Sequence, residues 1–142
     1  MAYVSQEMKK ELAPGIKAVF KKYGMKGSIG INHHSSLIVT LKEGPLNFEG
    51  VDVRGNDIYY TATDGRHHSQ VNTYHIDKFY NGVTADFLNE LVTAMKAPTG
   101  RGEWYNKTDI TTDYFDIAYY TDVNVGKFDK GYIQTSEEAL AA

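Results

Sequence analysis

Between residues 84 and 96 the chain places Phe87, Leu88, Leu91, Val92 and Met95 at three- and four-residue spacing. This stripe is the tightest constraint on the fold. A helix with so dense an apolar face has to lay it against another element, since leaving it in water forfeits the burial that makes the helix stable. Thr84 stands where a cap belongs, and Ala97-Pro98-Thr99-Gly100 supplies a stop. The elements available to cover the stripe are β-rich segments that come in neighbouring pairs. Residues 28–31 and 37–41 flank the polar turn Asn32-His33-His34-Ser35, and residues 37–41 are apolar at both parities, as an interior strand is. Gly44-Pro45 ends that pair, and residues 46–56 read as loop. Residues 58–62 and 71–76 flank Asp64-Gly65, a turn dipeptide. A helix that needs a sheet, with strands that pair locally, predicts an α+β domain of two layers. Its sheet is expected to be mostly antiparallel with two main helices packed on it, in contrast to a parallel α/β fold.

The second main helix is expected over residues 5–23. Ser5 is a suitable N-cap, and Glu7 lies where the helix dipole favours negative charge. Met8, Leu12, Ile16, Val19, Phe20 and Tyr23 form its apolar stripe, while Lys10, Lys17 and Lys21 fall on the opposite face. Pro14-Gly15 interrupts the pattern and predicts a kink or two shorter helices. Gly24 ends it. Residues 118–125 alternate as a strand that Gly126 would close, and residues 132–134 could add a short edge. One domain over residues 1–135 is expected, with a flexible tail at 136–142.

Length and composition then limit the function classes. A chain of 142 residues can bury a full core. The absence of cysteine excludes disulfide scaffolds and thiolate-ligated metal centres. No apolar run approaches the ~20 residues needed to span a bilayer, and the N-terminus lacks the basic-then-apolar order of a signal peptide. A cytoplasmic location without membrane contact is therefore expected. Charge is unevenly spread: residues 1–27 carry six lysines against two glutamates, whereas residues 98–142 carry four basic and eight acidic side chains. Eight of the 18 aromatic residues lie within residues 104–132, interleaved with aspartates. Tyrosine and tryptophan supply large rigid contact area, and neighbouring carboxylates can answer a basic partner. Trp104, Tyr105, Asp113, Tyr114, Asp116, Tyr119, Tyr120 and Asp122 are accordingly the candidate partner-binding residues.

Other chemistries find less in the sequence. A nucleic-acid surface could combine Lys10, Lys17 and Lys21 with exposed tyrosines among Tyr59, Tyr74, Tyr119 and Tyr120. The domain as a whole is acidic, at net charge −3. Asp109, Asp113 and Asp116 would share one face of a helix and could hold magnesium for phosphodiester cleavage. The threonines at 108, 111 and 112 instead favour turns and caps there. One histidine each from the pairs His33-His34 and His67-His68, together with His75, could meet at a zinc ion, although no ligand spacing selects for it. No nucleophile elbow is present, and Gly24, Gly27 and Gly30 follow a helix and precede a strand, the reverse of a dinucleotide loop. No catalytic set, resident metal or cofactor is expected. Self-association is left open.

Two stretches resemble known sequences. Lys9-Lys10-Glu11-Leu12 through Lys17-Ala18-Val19-Phe20, followed by Gly27-Ser28-Ile29-Gly30-Ile31, resembles the opening of small phage and plasmid domains associated with large polyvalent proteins. So do Trp104-Tyr105-Asn106, Thr112-Asp113-Tyr114-Phe115-Asp116 and Tyr119-Tyr120-Thr121-Asp122-Val123-Asn124-Val125-Gly126-Lys127. The resemblance covers about a third of the chain. It implies an accessory protein of a phage or mobile element that acts inside a bacterium, in the manner of proteins that bind a host protein to counter defence. Ala139-Leu140-Ala141-Ala142 looks like the end of the bacterial tag that directs proteins to proteolysis, which would imply a short lifetime.

Overall fold

The computed structural model describes residues 3–46, 48, 59–71, 73, 76–80, 82–100, 102–105, 117–127 and 129–135. The chain order is α1 (Gln6–Tyr23), β1 (Lys26–Asn32), β2 (Ser36–Gly44), β3 (Tyr60–Thr61), β4 (His67–Val71), α2 (Ile76–Phe79), α3 (Gly82–Met95), β5 (Tyr120–Val125) and β6 (Ile133–Gln134). This is an α+β fold with a six-stranded sheet.

Ser5 caps α1, its side chain accepting from the amide of Met8 at 3.2 Å, and Gly24 closes the helix in the left-handed region at φ 70°. The expected break at Pro14 does not divide the helix, which runs as one element of 18 residues. The donor that proline lacks would have faced Lys10, on the exposed side, where the freed carbonyl is not forced into the core. Met8, Leu12, Ile16 and Phe20 hold the two halves in line by burial on the other side. α3 buries all five residues of its stripe, together with Thr84 and Ala85. It begins two residues before the expected cap, so Thr84 lies inside its first turn.

The strands run in the order β1-β2-β5-β4-β3. β1 and β2 form the expected hairpin, with Asn32 opposite Ser36. β2 is interior, as its apolar character predicts, and pairs on its other side with β5 in parallel, from Ser36 opposite Tyr120 to Leu41 opposite Val125. The sheet is thus mixed, although three of its five pairings are antiparallel. The second hairpin departs from expectation. Its return strand is β4 at His67–Val71, and Ile76 opens a short helix rather than ending a strand. The chain leaves the sheet after Val125 and rejoins the same lane as β6, beside Glu43 and Gly44 of β2.

Because side chains alternate along a strand, register assigns every residue a face. Leu37, Val39 and Leu41 of β2, Val123 and Val125 of β5 and Val71 of β4 share one face and join α1 and α3 in the core. Ile38, Thr40 and Lys42 of β2, Tyr120, Asp122 and Asn124 of β5, His68 and Gln70 of β4 and Tyr60 of β3 share the other. Both long helices pack on the first face. Among the described residues no helix covers the second.

Candidate functional site

The helix-free face is where chemistry-bearing side chains converge. Three shallow depressions run across it. The first is lined by Gln70, Thr73, Ile117, Tyr120 and Asp122, the second by Tyr60, His68, Asn124 and Lys127, the third by Lys42, Lys127 and Lys130. The second and third share Thr40, Gly126 and Lys127, so they form one groove from the β3 edge to β2.

Two ends can be distinguished. Tyr120 opens β5 and Gly126 follows its last residue, about 20 Å away at the usual rise. At the Tyr120 end, Asp122 sits opposite Ile38 in the middle of the sheet. Burial pushes its carboxyl above the ordinary aspartate value. Tyr120 is 43% exposed. At the Gly126 end, Tyr60 is 68% exposed, and its ring lies 5.7 Å from that of His68 at a tilt of 37°. Lys42, Lys127 and Lys130 are exposed around it, and none forms an ion pair among the described residues. Glu43 lines the same depression and faces Lys26 at 3.9 Å, and exposed Asp129 stands between Lys127 and Lys130 on the excursion.

Lys127 and Lys130 are held by backbone. Gly126 takes φ 66°, and a Cβ there would stand 2.5 Å from the amide nitrogen of Tyr132. The Gly126 amide donates to Leu41 and the Lys127 amide to Lys130, each at 2.8 Å. Asp64 in the β3–β4 turn accepts from the Gly131 amide at 3.0 Å and from the Arg66 amide at 3.0 Å. The bond from the Arg66 amide is the first cause that holds the Asp64 carboxyl below its ordinary value, with the Gly131 amide and the Arg66 guanidinium assisting. The excursion that carries the two lysines is therefore tied to the neighbouring hairpin.

The residues expected to form a partner surface separate in space. Tyr120 and Asp122 lie on the helix-free face, and Tyr105 is 38% exposed. Tyr119 belongs to the core at 2% exposure. Its hydroxyl donates to the Met95 carbonyl at the end of α3, and burial pushes its pKa up to about 12. Trp104 is half-buried: its indole N–H donates to the Tyr119 carbonyl at 2.9 Å, and the Lys96 ammonium lies 4.1 Å from its ring centre. Both aromatic side chains are spent on packing. Asp113, Tyr114 and Asp116, and Asp109 with them, lie outside the described residues.

Lys10, Lys17 and Lys21 are exposed on the side of α1 that points away from the sheet, with the helix layer and the sheet between them and Tyr60 or Tyr120. The nucleic-acid surface expected from those lysines and the tyrosines is not brought together. Tyr59 packs against His67 with ring centres 4.4 Å apart, and Tyr74 is outside the described residues. His33 and His34 occupy the β1–β2 turn beyond the Tyr120 end, whereas His67 and His68 start β4 at the Gly126 end. They cannot share an ion with one another. His75 lies outside the described residues. Among the described residues no three histidine or carboxylate side chains gather as metal ligands.

Sequence reasoning missed Tyr60, His68, Lys42, Lys127 and Lys130 as a group. Compared with protein-family models, curated proteins and solved structures, the chain matches none.

Proposed function

We propose that this chain is a non-catalytic binding protein that engages its target with the helix-free face of its sheet. The supporting observation is that face itself: a broad, polar and aromatic surface carrying exposed Tyr60 and Tyr120, set on a rigid sheet and covered by no helix among the described residues. Rigid aromatic contact area with polar neighbours is what recognition surfaces use. Its resemblance to phage and plasmid accessory domains supports an intracellular role on a host target. The Tyr120–Asp122 end fits a host protein with a basic contact, for which Asp122 is the answering charge.

The test uses the folded chain as bait in bacterial lysate, with two paired variants. Tyr120→Arg with Asp122→Arg places cations where the partner's basic contact would sit, and capture of a stoichiometric partner should fall at least tenfold. Lys10→Glu with Lys17→Glu and Lys21→Glu alters only the far side of α1 and should leave capture unchanged. If the α1 variant abolishes capture and the sheet-face variant does not, the recognition surface is the helix and this reading falls. The nucleic-acid reading gains one observation of its own, the cationic groove beside Tyr60.

A further inference from the structure

We infer that the groove from Tyr60 to Lys130 binds a segment of single-stranded nucleic acid. The inference rests on the reading of the helix-free face as a recognition surface and names the ligand of its Gly126 end. Two independent features of that end agree. The first is charge complementarity. Lys42 comes from β2 and Lys127 and Lys130 from the excursion, and the three cations edge one groove against Glu43, which also lines it and faces Lys26, and Asp129 beside Lys130; none of the three forms an ion pair among the described residues. A chain with net charge −3 thus has, among the described residues, a local excess of lysine over carboxylate at one place, which suits an anionic ligand. The second is the aromatic platform. Tyr60, at 68% exposure, is the most exposed of the large hydrophobic side chains described, and the tilted His68 ring stands beside it. A base stacked on Tyr60 would direct its backbone along the groove toward Lys127.

The lateral order β3-β4-β5-β2 separates Tyr60 from Lys42 by three strand spacings, about 14 Å. That accommodates about two or three nucleotides, the number that an aromatic sheet face takes from a single strand. A duplex presents no unstacked base to Tyr60. Thr40, Gln70 and Asn124 line the groove between the two ends and offer donors and acceptors to base edges. Asp122 bars the strand from continuing toward Tyr120, so the footprint is confined to the basic end.

The test is fluorescence anisotropy with a labelled oligothymidine of about ten nucleotides, repeated across a salt series. Binding should weaken with salt at a logarithmic slope of about −2, as three phosphate contacts on a single strand require. Tyr60→Ala should lower affinity by roughly tenfold or more, and Lys42→Ala with Lys127→Ala and Lys130→Ala should flatten the salt slope. All these side chains are exposed, and melting curves report whether the variants fold. Lys10→Glu with Lys17→Glu and Lys21→Glu should bind as the parent does. Absence of binding at low salt, or binding that only the α1 variant weakens, overturns the inference. So does equal competition by polyglutamate, which would make the groove a site for an acidic protein, or equal affinity for thymidine monophosphate, which would make it a nucleotide site. If no oligonucleotide binds while Tyr120→Arg with Asp122→Arg still abolishes capture of a protein, the inference fails and the recognition surface stands.

Discussion

Asn32-His33-His34-Ser35 closes the β1–β2 hairpin with an amide-to-carbonyl bond from Ser35 to Asn32 of 3.1 Å. Its two central residues sit at φ 53° and 57°. Positive φ at both positions is the left-handed conformation that turns reserve for glycine or asparagine. Neither residue is glycine or asparagine, so each carries a Cβ against the following carbonyl at a cost of about 1–2 kcal/mol. His33→Asn with His34→Gly should therefore raise stability by about 1–2 kcal/mol, measured by urea unfolding. A loss of stability would mean that the imidazoles make contacts that outweigh the strain. The polar tetrad was readable as a turn, but the left-handed pair was not, because histidine tolerates that region without demanding it. Tyr119 and Tyr120 show the same limit. They are adjacent and chemically identical in the sequence, yet one is buried under α3 and the other is exposed, since neighbouring positions on extended chain point to opposite sides. Only register, which the sequence does not print, decides which is which.

Elements that depend on local pattern were legible, and elements that depend on distant pairing were not. The stripes of α1 and α3 and the β1–β2 hairpin follow from spacing over a few residues. The parallel β2–β5 pairing joins segments about 80 residues apart in the sequence, and no local signal predicts it. The basic groove is assembled by that pairing, which is why its lysines read as scattered solvated charges until β6 and β2 come together. The Gly126–Gly131 excursion gives a direct test of how it is held. Asp64 has a depressed carboxyl pKa in the folded state, so its contribution to stability is present above the ordinary aspartate value and lost as pH falls through the folded value. Asp64→Asn removes the charged acceptor. The amides of Gly131 and Tyr132 should then exchange hydrogen several-fold faster than in the parent at neutral pH, and the difference should shrink in acid as the parent's carboxylate is protonated. Unchanged exchange would show that the backbone bonds of Gly126 and Lys127 hold the excursion unaided.

At the scale of the whole molecule, the sheet separates two environments. One face and both long helices enclose the core; among the described residues no helix covers the other, which has Asp122 toward one end and Lys42, Lys127 and Lys130 at the other. The α+β class was legible because a dense helix stripe needs a sheet. Which face would be left open was not, because that depends on both helices choosing the same side. Asp122 reports on this open face. Its carboxyl is raised by burial, so the folded state takes up a proton between the unfolded and folded values. The resulting stabilisation is full below the unfolded value and lost as pH rises through the folded one. Above the folded value the free protein thus holds an ionised carboxylate at a desolvation cost. Asp122→Asn should melt higher than the parent at pH above that value, and the two should converge as acid protonates the parent. A lower melting point for the variant there would show that a cation already faces Asp122 in the free protein. The cost that the parent tolerates has a use if a partner cation settles over Asp122, because the same burial that disfavours the lone charge strengthens the pair. Partner affinity at this end should then fall as pH drops through the Asp122 value, while oligonucleotide affinity at the lysine end should not.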